Sequence, residues 1–150
     1  MLLTYESEEQ KLALLKMIIE QHMPANSIFG LKITELKSGF VKIHVPFKDE
    51  FVGDFVQGLW HGGILASIAD TAGGIVASTE LKDARDRLNT IDMRVDYLNG
   101  AIKEDIEGEA ELIKVGKRII KADVKLYQKT KGVVAIARCA FSLLKYESED

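Results

Sequence analysis

The chain has 150 residues, of which 47% are hydrophobic and 29% charged, and this length and apolar content suit one core, so we expect a single domain over residues 1–150. Its formal net charge is −3, its charges are mixed along the chain, and no nucleic-acid binding is predicted. The one basic cluster is Lys114, Lys117, Arg118 and Lys121, and two interpretations of it remain open: it holds a few phosphates of a small ligand, or it is a solvated strand edge. No signal-peptide pattern and no run of about eighteen apolar residues is present, so we expect a cytoplasmic protein that does not bind membranes.

The first predicted element is an amphipathic helix from Ser7 to His22. Its apolar residues recur at helical spacing, its first residue suits an N-cap, and Pro24 ends it. Two short β-prone runs follow, over Ile28 to Ile33 and Gly39 to Val45, and together they predict a hairpin. The next segment, Lys48 to Trp60, carries glycines and scattered charges, so we expect it to be irregular.

A second helix is predicted from Gly63 to about Thr79. It is mostly apolar and must be largely covered, yet one stripe consists of small residues and a single acid: Gly63, Ala66, Ser67, Asp70, Gly74 and Ala77. Asp70 is the only charged side chain in this helix, and an isolated carboxylate is costly to bury without partners. Two interpretations remain open: Asp70 is catalytic, or it has a structural role, capping a loop or pairing with Arg94.

The second half of the chain is predicted to form four strands. These are Asn89 to Leu98, Ile106 to Val115, Ile119 to Tyr127 and Val133 to Leu144. Short turns separate the last three and no helical pattern intervenes, so we expect antiparallel pairing and the α+β class. One face of the first strand is predicted to carry Ile91, Met93, Val95 and Tyr97. Its other face is predicted to carry Thr90, Asp92, Arg94 and Asp96, the last three forming a charge ladder or a subunit contact.

The residues that precede the second helix are suited to binding a developing negative charge. His61-Gly62-Gly63 lies where the helix begins, and the first amides of a helix point outward without partners at its positive end. The Gly62 amide is therefore a candidate donor to a carbonyl oxygen during acyl transfer. His61 is a candidate for orienting the substrate carbonyl or the preceding loop.

Other site chemistries are not supported by the sequence. The three histidines and the one cysteine lack the spacing of metal ligands, so we expect no metal. Ser67 lies in a helix interior without a glycine elbow, which argues against a serine-histidine-acid triad. Cys139 lies in an apolar run, so we expect a buried and unreactive thiol.

One stretch of the sequence resembles the hotdog-fold acyl-CoA thioesterases of the phenylacetate-degradation (PaaI) type. It reads Gly58-Leu-Trp-His-Gly-Gly-Ile-Leu-Ala-Ser-Ile-Ala-Asp70-Thr-Ala-Gly-Gly. The glycine, the HGG motif and the helical aspartate have the order and spacing of that family. A second stretch is similar to the strand that follows the helix in these proteins. It reads Thr90-Ile-Asp-Met-Arg-Val-Asp-Tyr97-Leu. The resemblance implies a long central helix wrapped by about six mostly antiparallel strands, with an additional N-terminal helix.

The resemblance also implies an activity and residue roles. The expected reaction is hydrolysis of acyl-CoA to a carboxylic acid and free CoA, with CoA present only as part of the substrate and with no cofactor. Asp70 would act as general base or nucleophile, the Gly62 amide would polarise the carbonyl, and Thr90 would position water. The catalytic set then also includes His61. The candidate substrate-binding residues are Gln57, Gly58, Gly63, Lys117 and Arg118.

The loop ahead of HGG departs from the family, and this bears on the partners and function implied. The family usually has a polar residue, commonly asparagine, where this chain has Phe55, so Gln57 or Asp54 are candidates to replace it. Hotdog active sites form between two subunits, so the resemblance implies that Asp70 of one chain faces Gly62 of the other in an obligate homodimer, and a homotetramer is common. A hydratase or dehydratase on the same fold and a non-catalytic acyl-CoA-binding or sensing module remain alternatives. An enoyl-CoA assay would identify the former, and tight binding without thiol release the latter.

Overall fold

The computed structural model describes residues 5–147. The helices are α1 (Glu8–Met17), α2 (Asn26–Phe29) and α3 (Gly62–Ser78), with a π-helical turn over Ile18–His22 and a 3-10 turn over Asp49–Phe51. The strands are β1 (Lys32–Lys37), β2 (Phe40–Val45), β3 (Val52–Asp54), β4 (Leu59–Trp60), β5 (Arg87–Tyr97), β6 (Ile106–Val115), β7 (Ile119–Gln128) and β8 (Gly132–Leu144). None of the helices within the described residues combines the length and apolar character needed to cross a lipid bilayer.

Six strands form one antiparallel sheet in the order β1-β2-β6-β7-β8-β5, and α3 packs against one face of it. Alternate residues of each strand face the helix, and each fully buried aliphatic side chain stabilises the fold by about 1.5–3 kcal/mol. The core includes Val41, Ile43, Ile106, Ile120 and Leu126 from the sheet and Leu65, Ile68, Ile75 and Val76 from α3. This arrangement is the hotdog fold, and the predicted α+β class and antiparallel sheet are confirmed.

The N-terminal helix begins where the sequence predicts, because the Ser7 hydroxyl accepts a 3.0 Å hydrogen bond from the backbone amide of Gln10. The predicted strand over Ile28 to Ile33 is wrong in its first half, where the short helix α2 lies instead. The side chain of Asn26 bonds both the amide and the carbonyl of Leu31, at 2.8 and 3.0 Å, and thereby closes a compact turn. The strand consequently begins only at Lys32.

The segment from Lys48 to Trp60, predicted to be irregular, contains the 3-10 turn and the small hairpin of β3 and β4. Aromatic packing orders it. The Trp60 ring stacks on Phe51 with centroids 5.1 Å apart and meets Phe47 edge-on at 5.8 Å. The elements are too short to give a sequence pattern, but their packing fixes the chain at the point where α3 begins.

A β-bulge between Thr90 and Asp92 changes the faces predicted for β5. The sequence pattern predicts that the side chains of Thr90 and Met93 lie on opposite faces of the strand. In the structure both residues pair with buried residues of β8, so both side chains lie on the face that packs against α3. Ile91 is the extra residue of the bulge and is 54% exposed. Strict alternation fails here because a bulge inserts one residue into the strand and reverses the direction of those that follow.

The N-terminal helix also holds the C-terminal end of α3. Lys11 Nζ donates a 2.6 Å hydrogen bond to the Thr79 carbonyl, and the Lys11 side chain is only 12% exposed. The Thr79 hydroxyl in turn accepts from the Gly39 amide in the turn between β1 and β2. A cation at the negative end of a helix dipole is favourable, so the Lys11 contact stabilises the C-terminal end of α3. Together the two hydrogen bonds link α1, α3 and the sheet.

We therefore predict that Lys11→Met lowers the free energy of unfolding by about 1 kcal/mol, because it removes a charged donor from a helix C-terminus while keeping the apolar stem. Chemical denaturation would measure the change. Lys16→Met, at an exposed position of the same helix, is the matched control and should alter stability far less. Equal effects of the two substitutions would contradict the assigned contact.

Candidate active site

The start of α3 is fixed by His61. Its backbone is extended, with φ −66° and ψ 127°, and its ring Nδ1 accepts a 2.9 Å hydrogen bond from the Gly63 amide. A Cβ at position 63 would lie 2.9 Å from His61 Cε1, so only glycine fits beneath this ring. The His61 amide donates to the Phe51 carbonyl at 2.7 Å. His61 thus caps the helix and ties it to the preceding loop.

Gly62 presents an amide that has no acceptor within residues 5–147. The hydrogen bonds of the described residues include no acceptor for its N–H, whereas its carbonyl accepts a 2.7 Å bond from the Tyr97 hydroxyl. Nothing in the sequence pattern indicated this contact, because it joins residues 35 positions apart. The unbonded N–H at the positive end of a long helix is suited to bind an oxygen that carries negative charge.

Asp70 lies two turns further along α3 and is half-buried. Thr90 Oγ1 donates a 2.8 Å hydrogen bond to Asp70 Oδ1, and no described residue donates to the other carboxylate oxygen. The alternative that Asp70 pairs with Arg94 is wrong, because Arg94 is on the opposite face of β5 and bonds Asp96 at 3.2 Å. The Asp70 carboxylate therefore has one oxygen held by a hydroxyl and one open to a ligand.

Cys139 lies beneath this part of the helix and is fully buried, as predicted. Burial, reinforced by the negative charge of Asp70, raises the pKa of its thiol to about 12. A thiol with this pKa stays protonated near neutral pH and is a poor nucleophile. Cys139 therefore packs against Gly73 of α3 as a small apolar residue.

The Gly62 amide and the Asp70 carboxylate do not converge within one chain. Eight residues of one helix separate them, which corresponds to about 12 Å along its axis. A single thioester carbonyl cannot contact both groups of the same copy. A site that uses the Gly62 amide and the Asp70 carboxylate together must therefore take one of these groups from another chain.

The side of α3 that carries Asp70 borders an open edge of the sheet. Among residues 5–147, strand β5 pairs only with β8 and no strand covers its other edge, and Ile91, Tyr97 and Leu98 along it are each more than half exposed. The small-residue stripe predicted on α3 is partly accessible, except for Ala77, which is fully buried. An unpaired strand edge with exposed apolar side chains is a surface on which another chain can pair.

The loop ahead of the HGG motif is a tight turn with its own hydrogen bonds. The Asp54 carboxylate accepts from the Val56 and Gln57 amides and from the Gln57 side chain, and these bonds lower the pKa of Asp54. Gly58 adopts φ +70°, a conformation that favours glycine. Phe55 is 88% exposed at the tip of the turn. The polar groups of Asp54 and Gln57 thus bond one another.

Lys117 and Arg118 form the exposed turn between β6 and β7. With Lys114 and Lys121 they line a surface recess of about 610 Å³, and none of the four forms an ion pair with a residue in the described part of the chain. Near the end of β6, the Leu112 amide donates to the Gly39 carbonyl. The Gly39 amide in turn donates to the Thr79 hydroxyl at the C-terminal end of α3. The structure therefore places this basic turn at the opposite end of α3 from the glycines of the same chain.

The two groups that α3 presents are each suited to a step in the attack on a polarised carbonyl. A carboxylate can accept a proton from water or act as a nucleophile, and a free helix-terminal amide can stabilise the resulting negative charge. Within residues 5–147 no group of three or more His, Cys, Asp or Glu side chains could hold a metal ion.

Comparison with known proteins identifies the family. The family model described as the thioesterase superfamily matches residues 57–135, more than half of the chain and the part that includes the HGG motif, α3 and β5. The medium/long-chain acyl-CoA thioesterase YigI of Escherichia coli K12 is 28% identical over 145 residues, which cover 89% of this chain and 94% of that protein.

Two solved structures share the fold. A thioesterase family protein from Silicibacter pomeroyi superposes with a TM-score of 0.81 and 23% identity over 89% of this chain and 98% of its own. A phenylacetic acid degradation-related protein from Ralstonia eutropha JMP134 gives a TM-score of 0.75 and 20% identity over 85% and 98%. The chain therefore belongs to the thioesterase superfamily and is a thioester hydrolase with the hotdog fold.

Proposed function

We propose that this protein hydrolyses the thioester of an acyl-CoA, giving a carboxylic acid and free CoA, in an active site formed by two copies of the chain. The observation that carries the proposal is that α3 presents both a Gly62 amide with no acceptor among the described residues and an Asp70 carboxylate held by Thr90. The similarity to YigI, an acyl-CoA thioesterase of Escherichia coli, supports acyl-CoA as the substrate class.

A homodimer resolves the separation of the two groups. If two copies pair through their free β5 edges about a two-fold axis, their α3 helices run antiparallel and side by side. Asp70 of one copy then lies near Gly62 of the other, and the small residues of α3 allow the helices to approach. The exposed apolar side chains of β5 would be covered in the same contact.

The reaction follows from the groups in this composite site. The thioester oxygen accepts from the Gly62 amide, which stabilises the negative charge that builds on it as the carbonyl is attacked. Either water attacks while its proton passes to Asp70, or Asp70 attacks directly and water then hydrolyses the anhydride. In both routes the carbon–sulfur bond breaks and the thiolate of CoA leaves and takes up a proton. Because the Thr90 hydroxyl donates to one carboxylate oxygen, the other is available for this step.

The basic turn gives the CoA moiety a binding surface in the same dimer. Lys117 and Arg118 lie at the C-terminal end of α3, and in an antiparallel pair that end approaches the Gly62 end of the second copy. Their charges are not neutralised by neighbouring acids of the described chain, so they can attract phosphates. The proposal requires no metal and no cofactor beyond the CoA of the substrate.

Replacement of Asp70 tests the role of the carboxylate. We expect Asp70→Asn to lower kcat for acyl-CoA by about 10²–10⁴-fold, because the amide keeps the shape but cannot accept the proton or attack. Thiol release across a series of acyl chain lengths would measure it. Asp92→Asn, on the outer face of the same strand as Thr90, is the control and should keep wild-type turnover. Near wild-type hydrolysis by a folded Asp70→Asn variant would refute the assignment.

A matched pair of substitutions tests the Gly62 amide. Proline is tolerated at the first position of a helix, where it removes the N–H, and the extended backbone of His61 is compatible with it. Alanine keeps the N–H, and its Cβ would lie 3.4 Å from the Tyr97 ring, an ordinary contact. We expect Gly62→Pro to reduce kcat by about 10²–10³-fold relative to Gly62→Ala. Equal kcat values for the two folded variants would show that the amide does not bind the oxyanion.

A further inference from the structure

The geometry points to Tyr97 as a positioning residue that holds the Gly62 amide in the direction needed to bind the thioester oxygen. This inference rests on the proposed function, because the amide has a catalytic role only if a carbonyl is attacked there. Tyr97 would not touch the reacting atoms. It acts through the carbonyl of Gly62, to which its hydroxyl donates at 2.7 Å.

The need for such a residue comes from the sequence of the helix start. Gly62 and Gly63 are adjacent, and glycine has more backbone freedom than any other residue. The first turn of a helix also lacks part of its backbone hydrogen bonding and frays readily. An amide at this position would sample many directions unless neighbouring groups fixed the chain.

The backbone groups around the Gly62 N–H are each engaged by a specific partner. The His61 amide donates to the Phe51 carbonyl, the His61 carbonyl accepts from the amides of Ile64 and Leu65, the Gly63 amide donates to the His61 ring, and the Gly62 carbonyl accepts from the Tyr97 hydroxyl. The Tyr97 ring also lies against the Gly62 backbone, because a Cβ there would be 3.4 Å from its Cε1 and Cζ. The contacts of Tyr97 therefore restrict Gly62 directly, where no side chain of its own can do so.

The same strand positions both catalytic groups of the chain. β5 provides Thr90, which bonds Asp70, and Tyr97, which bonds Gly62 eight residues earlier on α3. In the single chain Tyr97 is 52% exposed, and its hydroxyl donates to the Gly62 carbonyl. The two side chains thus fix α3 to β5 at the two positions that the proposed reaction uses.

Tyr97→Phe tests the inference, since it keeps the ring and removes only the hydroxyl. We expect kcat to fall about tenfold, less than for loss of the amide itself, while KM and the melting temperature stay close to wild type. Tyr127→Phe is the matched control. Its hydroxyl reaches Glu109 at 3.5 Å on the outer face of the sheet, and its kcat should be unchanged.

Two CoA analogues provide a readout that a purely structural role would not change. A ketone analogue, with a methylene in place of the thioester sulfur, retains the carbonyl, whereas a thioether analogue lacks it. We expect Tyr97→Phe to weaken binding of the ketone several-fold and to leave binding of the thioether unchanged. The Gly62 amide signal in NMR spectra of the ligand-free protein should also shift or broaden in Tyr97→Phe and not in Tyr127→Phe.

The inference is overturned if Tyr97→Phe has the wild-type kcat, or if the substitution weakens binding of the two analogues equally. It is also overturned if the loss of kcat matches an equal loss of folded protein. Failure of the proposed function gives a different result, in which the wild-type protein releases no thiol or Asp70→Asn is fully active. The NMR comparison needs no substrate and tests the positioning of Gly62 in that case as well.

Discussion

The rigidity of one helix determines how this protein can work. α3 carries both the free amide of Gly62 and the carboxylate of Asp70, and its hydrogen-bonded backbone keeps them about 12 Å apart. No movement of side chains within one copy can bring both to the same carbonyl. The proposed reaction therefore needs a second copy whose α3 runs in the opposite direction, and the edge of β5 that no described strand covers is where that copy can bind.

β5 is the element that connects the fold to the proposed chemistry. Because it is an edge strand, one side of it pairs with β8 while the other remains available to a partner. Its inner face packs on α3, and its bulge turns Thr90 toward Asp70. Without the extra residue at Ile91, Thr90 would point to the outer face of the sheet and the Asp70 carboxylate would lose its donor.

The sequence predicted those features that depend on patterns along the chain. The long helix, the last three strands and the buried Cys139 appear within a residue or two of their predicted places, because apolar periodicity and turn residues define them. Features that depend on contacts between distant residues were not predicted. The Asn26 turn, the bulge in β5 and the bond from Tyr97 to Gly62 are of this kind. The resemblance named Asp70 and Gly62 and implied that they face one another across two chains, and their spacing of eight positions on one helix agrees with that expectation.

Complementation between two inactive variants tests the two-copy site most directly. When chains carrying Asp70→Asn and chains carrying Gly62→Pro are mixed after unfolding and refolding, each mixed dimer contains one site with an intact Asp70 and an intact Gly62 from different copies. The account predicts that activity returns, to about a quarter of the wild-type value for random pairing in equal amounts. If mixed dimers form and activity stays at the level of the separate variants, the two groups do not act across the interface.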